Sequence, residues 1–589
     1  MDSDAKITSL RLAALPALVL LLCFICYPLI RMVGISLHLP DLSFADYFTA
    51  FNPVNRGIAL RTFGLAATIT ILSLLVGYPT AAFLSRLDGR ARTIGLVCVA
   101  LPFLTSFLVR TYAWVVLFGD AGAINTLLMR LGIIEDPLLL LYTRTGMIIA
   151  MVHIMLPLMI FPIYASMRAI DPMQWRAAET LGGGPLRVFL TVYLPQTLAG
   201  VRSGCILVFI ISLGFYITPQ MLGSPSDLML GSLIANNIEN SLNFGFAAAV
   251  AVVLLAGTLL IFVLFGGNGA ALTGAASSRG TWLGRLFRNA SGLLPDGGNP
   301  AIRLSGWSWR RRAGKAAARS PARSGLPLTL FGVLVCIFLV TPSIVVVIAA
   351  FNGEESLSFP PRVVSTRWFA FVLSDPQWVR AMITSVKIAC VSTILTLIVG
   401  TAAAFSITRL GGRREGSIYY GIALLPMIIP VIVTALGAFA VLSDLGLYGS
   451  QIGVILMHVC LSLPLVVVVM VAGFSGFDRR LELAAQSLGA GWLRIIRSVV
   501  APLLMPSLVS AALFAFLHSF DEVIITSFIA GSTTTTVPVK MWENIRNQID
   551  PAVAALSALL ILLPFLVLAI RGLTVVRWQA TRASVDSQQ

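Results

Sequence analysis

The chain has 589 residues, of which 57% are hydrophobic and only 11% are charged, and its mean hydropathy is +0.91. Ordinary soluble domains carry about 25% charged residues, so this composition argues against a soluble enzyme and indicates that most of the chain lies in a bilayer. The net charge of +16 would suit a nucleic-acid-binding protein. However, the basic residues lie in short loops between apolar runs, as the positive-inside rule describes. We therefore expect contact with membrane lipid and no nucleic-acid partner.

Twelve apolar runs are long enough to cross a membrane, since a spanning helix needs about 20 residues. They lie at residues 12–30, 62–85, 93–118, 145–168, 198–222, 246–266, 326–351, 381–408, 417–443, 451–475, 507–531 and 553–572. The first run has no small-residue cleavage site at its end, so it is interpreted as an uncleaved span. The sequence therefore predicts an all-α integral membrane protein with about 12 transmembrane helices.

The loops between these runs differ in charge. The loops that follow odd-numbered runs carry most of the acids, namely Asp41, Asp46, Asp120, Glu135, Asp136, Glu354, Glu355 and Asp375. The alternate loops, at 86–92, at 409–416 and near residue 310, are basic. Basic loops stay on the cytoplasmic side, so both termini are predicted to be cytoplasmic.

A segment rich in Gly, Ala, Ser and Arg separates the sixth run from the seventh. Residues 267–325 are therefore predicted to form a flexible cytoplasmic linker. Within it, TWLGRLFRNASGLL is either a short amphipathic helix on the membrane surface or part of a plain tether. The linker divides the chain into residues 1–266 and 326–589, with six runs each.

The two parts repeat one polar segment. RAAETLGGGPLRVFLTVYLP begins at Arg176, and LAAQSLGAGWLRIIRSVVAP begins at Leu483. At a constant offset of 307 the following residues match: Pro157 with Pro464, Asp171 with Asp478, Ala177-Ala178 with Ala484-Ala485, Leu181 with Leu488, Gly182 with Gly489, Arg187 with Arg494, Pro195 with Pro502, Phe209 with Phe516 and Ser212 with Ser519. The halves are therefore predicted to be homologous six-helix repeats related by an axis along the membrane normal.

Each copy of the segment predicts a helix–turn–helix beneath the membrane. Asp171 and Asp478 are expected N-caps, and Gly182 and Gly489 are expected to end the first helix in the left-handed conformation. The paired alanines leave a low surface that another protein can approach closely. The sequence favours this docking surface over ordinary loops that only cap a helix bundle.

This segment resembles the E-A-A-x-x-x-G-x9-I-x-L-P loop of permeases of type I ATP-binding cassette importers. The matching residues are Arg176, Ala177, Ala178 and Gly182 in the first copy, and Leu483, Ala484, Ala485 and Gly489 in the second. Both copies lack the leading glutamate, so its role is not carried over, although Glu179 and Glu482 lie nearby. The resemblance implies that residues 169–197 and 476–506 are loops that couple to an ATPase.

A narrower resemblance points to polyamine importers. LPFLTSFLVRTYAW (101–114) is similar to the first spermidine/putrescine permease, and LHSFDEVIITSFIAG (517–531) with residues 537–560 is similar to the second. In that family the two permeases are usually separate chains, so here they would be fused. The resemblance implies a polyamine or a related small cation as substrate, with ferric iron, thiamine, an opine or an aminophosphonate as alternatives.

The same resemblance implies the partners: two ATP-binding cassette ATPase subunits and a periplasmic substrate-binding protein, at a bacterial inner membrane. A phosphate-binding loop needs G-x-x-x-x-G-K-[ST], whereas Gly314-Lys315 is followed by Ala316. ATP and magnesium are therefore expected on the partner, and this chain is expected to be no enzyme and to hold no catalytic residue, metal or cofactor. A secondary transporter is the alternative from a different class, which the doubled docking segment disfavours.

Polar side chains inside the apolar runs are candidates for the substrate pathway because charges there are costly. Asp521 and Glu522 could attract a passing cation, or they could form an internal salt bridge with Arg110. The matching positions of the first half are Gly214 and Phe215, so no scaffold role is evident for the acids. Tyr112, Trp114 and Tyr216 could line the path or lie in an interfacial aromatic belt, which is favoured for Trp114.

Overall fold

A computed structural model describes residues 3–266, 325–355, 359–410, 414–531, 533–547 and 551–562. The regular secondary structure of these residues is helical, apart from an isolated bridge between Asn352 and Val364. Most of the predicted linker, including its candidate surface helix and Gly314-Lys315, lies outside the described residues.

The first half contains fourteen helices among the described residues. They are α1 (Ser3–Leu21), α2 (Tyr27–Ser36), α3 (Ala45–Ala50), α4 (Pro53–Arg86), α5 (Gly89–Leu104), α6 (Phe107–Phe118), α7 (Ala123–Arg130), α8 (Arg144–Arg168), α9 (Pro172–Thr180), α10 (Pro185–Val188), α11 (Leu194–Leu213), α12 (Ile217–Leu222), α13 (Leu230–Glu239) and α14 (Phe244–Ile261).

The described part of the second half follows the same plan. Its helices are α15 (Leu326–Ala349), α16 (Arg367–Ser374), α17 (Pro376–Arg409), α18 (Arg414–Ile428), α19 (Val431–Asp444), α20 (Gln451–Gly476), α21 (Arg480–Ser487), α22 (Trp492–Ile495), α23 (Ala501–Asp521), α24 (Ile524–Ile529), α25 (Val537–Asn547) and α26 (Pro551–Leu562).

Ten helices of the described residues are long and apolar enough to cross a membrane, or eleven if the pair α18 and α19, bent by 98°, forms one span. The short apolar helix α26 lies in the last predicted run. The lipid-facing sides of the spans expose large apolar residues such as Leu75 (63%) and Ile398 (64%). The prediction of an all-α membrane protein with two repeats is confirmed.

Four predicted spans are not continuous helices, and here the sequence-based boundaries are wrong. The runs 93–118, 198–222, 417–443 and 507–531 break at residues 105–106, 214–216, 429–430 and 522–523. Hydropathy averaged over a window does not detect such breaks, because the residues on both sides are equally apolar. Pro430 accounts for one of them, since proline disfavours helical conformation at the residue before it.

The offset of 307 is visible in the helix boundaries. It relates the first residue of α8 to that of α20, and it relates α10 to α22 and α12 to α24 at both ends. A short π-helical segment follows α10 and α22 at matching positions, Phe189–Tyr193 and Ile496–Val500. Homology between the halves therefore extends to irregular features of the backbone.

The first helix of each half packs against the other half. Helix α1 contacts α17, and α15 contacts α4, α5 and α6. His153 Nε2 lies 3.1 Å from the Leu339 carbonyl of α15, and Cys460 Sγ lies 3.8 Å from the Leu20 carbonyl of α1. His153 and Cys460 are themselves 307 residues apart, so the two crossings are symmetric. Because each half packs against the first helix of the other, these contacts hold the halves together.

Candidate functional site

A carboxylate of the second half caps a helix of the first half. The α6 helix begins inside the protein, where Phe107 N donates to Asp521 Oδ1 at 2.9 Å and to Oδ2 at 2.7 Å. The Ser106 hydroxyl also donates to Asp521 Oδ1. The first N–H groups of a helix have no partner within the helix, so Asp521 supplies one from across the interface between the halves.

The corresponding contact in the other half uses no acid. Gly214 lies at the position of Asp521, and a Cβ added to it would lie 3.2 Å from Pro430 Cβ. Pro430 is the N-cap of α19, as Ser106 is of α6. The same junction is therefore built once from a carboxylate and an N–H group, and once from glycine packed on proline. Asp521 has a scaffold role that the sequence comparison did not reveal.

Glu522 caps a different helix, in its own half. Its Oε1 accepts from Ile525 N and its Oε2 from Thr526 N, both at 2.9 Å. These donors lie in the first turn of α24, and His458 Nε2 lies 3.7 Å from Glu522 Oε2. The Glu522 side chain is buried, whereas Asp521 is partly exposed. Of the two acidic residues at this junction, Asp521 is the less buried one.

Arg110 lies near Asp521 but forms no direct salt bridge with it. No nitrogen–oxygen distance of 4.0 Å or less joins them among the ion pairs of the described residues, although the two charges interact. The Arg110 guanidinium lies 5.8 Å from the Phe107 ring centre and 3.5 Å from the Ile154 carbonyl oxygen. The alternative of a salt bridge between these acids and Arg110, which the sequence left open, is therefore wrong.

The three aromatic candidates are buried inside the protein. Tyr112 and Tyr216 expose 0% and 1% of their surface, and Trp114 exposes 4%. Trp114 packs against His153 and Phe338, with ring centres 5.4 and 5.7 Å away, at the crossing of α15. An interfacial-belt tryptophan would face lipid headgroups, so the expectation for Trp114 is wrong: it joins the two halves.

The repeated polar segments have the local structure that the sequence predicts. The Asp171 and Asp478 carboxylates accept from Met173 N and Arg480 N, each at 2.9 Å. The N-cap position of α21 is Arg479, so the predicted N-cap Asp478 is wrong by one residue, although its carboxylate still accepts from the first turn.

Both first helices of these segments end in the same way. Gly182 has φ +84° and Gly489 has φ +77°. The next residue in each copy donates its N–H to the carbonyl five positions earlier: Gly183 to Ala178 at 3.1 Å and Ala490 to Ala485 at 3.0 Å. This is the Schellman motif. A left-handed residue is needed at both positions, which is why glycine stands there.

The outer surface of both turns is apolar and exposed. Leu181 and Leu488, which match at the offset of 307, are 75% and 87% exposed. Further exposed apolar residues of the two segments are Met173, Leu186, Leu190, Leu483, Trp492 and Leu493. Ala177, Ala484 and Arg176 are also exposed. Of these residues, Met173, Leu181, Leu483 and Leu488 lie between the candidate membrane spans, where exposed apolar surface indicates a protein contact.

The two glutamates near the turns have different surroundings. Glu179 is exposed and accepts from Trp175 Nε1 at 2.7 Å. Glu482 is buried in an ion pair with Arg409, whose guanidinium lies 5.0 Å from the Phe405 ring centre. Glu482 is thus unavailable for direct contact with a partner, which corrects that part of the prediction. It instead fixes the second turn to the end of α17.

We predict that Glu482→Ala destabilises the protein by about 3–5 kcal/mol, because it leaves the Arg409 guanidinium, whose side chain is only 15% exposed, without its carboxylate. Glu179→Ala removes a comparable carboxylate from an exposed site and should cost less than about 1 kcal/mol. Thermal unfolding of both purified variants measures the difference. Equal losses of stability in the two variants would contradict the anchoring role of Glu482.

Comparison with known proteins gives a consistent result. The family described as binding-protein-dependent transport system inner membrane component matches twice, over residues 65–272 and 396–579. The spermidine/putrescine permease protein PotB of Haemophilus influenzae is 32% identical over 259 residues, which cover 42% of this chain and 90% of PotB. PotC of the same organism is 30% identical over 234 residues, covering 40% of this chain and 90% of PotC.

Among solved structures, the chain has a distant similarity to a bacterial alginate ABC transporter in complex with a periplasmic protein. The identity is 18%, the TM-score is 0.38, and the match covers 46% of this chain and 97% of that one.

Proposed function

Because the chain belongs to the binding-protein-dependent transport system inner membrane components, we propose that it forms the membrane pathway of an importer for a polyamine or a related small cation. It is a multi-pass inner-membrane permease of an ABC importer, and not an enzyme. The family assignment decides against a self-sufficient secondary transporter. Ferric iron, thiamine, an opine and an aminophosphonate are the alternative substrates for an importer of this architecture.

One observation supports a cationic cargo, namely the carboxylate of Asp521 at the junction of the halves, in a residue that is less buried than Glu522. A carboxylate held by two N–H···O contacts and a hydroxyl stays in place inside an apolar interior, where an isolated charge would be expensive. A passing ammonium group is attracted to its negative charge. Relatives named for spermidine and putrescine transport agree with this cargo class.

The proposed importer takes its energy from a partner ATPase and its cargo from a binding protein. We propose that the turns 169–197 and 476–506 dock one ATPase subunit each, through the exposed residues around Ala177-Ala178 and Ala484-Ala485. ATP and magnesium would be held by those subunits. The turns then lie in the cytoplasm with both termini, and the domain limits are 1–266, 267–325 and 326–589.

We predict that Asp521→Asn lowers uptake of spermidine while assembly and basal ATP hydrolysis are retained. Asparagine can still cap α6, so this variant removes the charge and keeps the junction, whereas Asp521→Leu removes both and should also impair assembly. Uptake is measured in vesicles that contain the whole complex with its binding protein. Unchanged uptake by Asp521→Asn would refute the proposed cargo interaction.

A second prediction tests the role of the turns. Gly182→Val and Gly489→Val should each uncouple ATP hydrolysis from uptake, because a β-branched residue disfavours the left-handed conformation by about 1 kcal/mol or more. No atom lies within 4 Å of a Cβ added at either glycine, so the effect is conformational and not steric. Gly491→Val, which also has free space but φ −68°, is the matched control. Normal coupling in both turn variants would contradict docking there.

A third prediction concerns stoichiometry. Since one chain supplies both repeats, a single copy should purify with two ATPase subunits. Native mass spectrometry of the detergent-solubilised complex measures this ratio. A complex with two copies of this chain for each pair of ATPase subunits would contradict the proposed fused arrangement.

A further inference from the structure

Two short helices at matching positions meet between the halves. The offset of 307 relates the first residue of α13 to that of α25, and it relates Glu239 to Arg546. Arg546 Nη1 and Glu239 Oε2 lie 2.6 Å apart. In a two-fold arrangement, a residue can touch its own counterpart only beside the axis. This ion pair therefore marks the axis that relates the halves, which is where a central pathway runs.

The pair lies on the face opposite the two turns. The first turn leads through α11 to α12 and α13, and α14 then returns toward the linker. Gly245, in the first turn of α14, lies beside His38 of the loop that follows α2 and beside Asp46 of α3. The side chains of Arg546 and Glu239 are 45% and 26% exposed. In the proposed orientation this is the periplasmic face.

An aromatic contact lies directly beneath the ion pair. Trp542 is one helical turn before Arg546, so both side chains lie on the same side of α25. Its ring centre is 6.1 Å from that of Tyr216, which belongs to the first half, and Phe528 lies 6.5 Å from Tyr216 on another side. These three rings are buried. They bridge the halves below the charged pair.

Each of the two helices is fixed to its own half. Leu230 N, at the start of α13, donates to Thr62 Oγ1 at 2.9 Å, and Val537 N, at the start of α25, donates to Ser385 Oγ at 2.8 Å. Thr62 and Ser385 are the tenth residues of the 34-residue helices α4 and α17. If the halves separate, these two hydrogen bonds are kept and the contacts across the axis are broken.

We propose that the Glu239–Arg546 pair and the Tyr216–Trp542–Phe528 contact form the outer gate of the pathway, and that Thr62 and Ser385 position the two gate helices. Exposed ion pairs contribute little, so the buried rings provide most of the closure and the charges align the helices. The proposal rests on the proposed transport path, but it does not depend on which cargo is carried.

The test places spin labels at Glu239→Cys and Arg546→Cys after the seven native cysteines are replaced, in the complete complex with ATPase and binding protein. ATP, vanadate and binding protein together should shift the distance between labels to longer values. Glu355→Cys with Arg367→Cys is the matched control, since this ion pair, 3.6 Å apart, is exposed and lies within the second half. Its distance should not change. An unchanged distance at the gate would overturn the proposal.

A second measurement uses a short bifunctional thiol reagent on the same two cysteine pairs. Linking residues 239 and 546 should abolish spermidine uptake and leave basal ATP hydrolysis intact, whereas linking 355 and 367 should leave both intact. Full uptake by the complex linked at the gate would overturn the proposal. The distance measurement needs no cargo, so an error in the cargo class would affect only uptake and would be recognised separately.

A third measurement uses charge alone. Glu239→Arg places two guanidinium groups on the axis and should raise ATP hydrolysis without binding protein by up to about fivefold, the limit that an exposed ion pair allows. Adding Arg546→Glu should restore the original value. A rise that persists in the double variant would contradict the pairing.

Discussion

Helix N-termini inside an apolar interior need partners, and this requirement organises the centre of the molecule. Backbone polar groups at membrane depth must be satisfied within the protein, yet four runs are broken there. Asp521 meets the requirement for α6 from the other half, and Glu522 meets it for α24 within its own half. Two of the four breaks therefore carry a carboxylate cap, and one of these caps joins the two halves.

The two repeats share a backbone arrangement but stabilise it with different side chains. Asp521 contacts Ser106 at one junction of the halves, and the equivalent junction is a contact of Gly214 with Pro430. The second turn is anchored by the ion pair between Arg409 and Glu482. At the position of Glu482 the first half has Trp175, which packs on Tyr193 with ring centres 5.8 Å apart. The two halves have different sequences, so each position needs to suit only one side of the pathway.

The halves are joined in two ways that differ in permanence. Helices α1 and α15 each pack against helices of the opposite half, and van der Waals packing of this kind favours a lasting association of membrane helices. The contacts on the axis are small and include an exposed ion pair, which contributes little by itself. Such a distribution suits two bodies that remain attached while their outer ends separate.

The sequence by itself determined the class of the protein, its two repeats and the geometry of the turns. Hydropathy, the offset of 307 and the glycines at 182 and 489 are local or periodic signals, and the left-handed φ values agree with them. Sequence reasoning also singled out Asp521 as an exceptional residue. It could not identify the partner of that residue, because Ser106 is more than four hundred positions away and nothing in its own surroundings marks it as a donor.

Only the tertiary structure decided which polar residues serve the scaffold and which remain accessible. The burial of Glu482, the placement of Trp114 between the halves and the meeting of Glu239 with Arg546 all depend on how the repeats are docked. Docking is set by packing across many residues, and no local pattern encodes it. The sequence therefore specifies two equivalent halves, and their assembly gives matching positions different chemical roles.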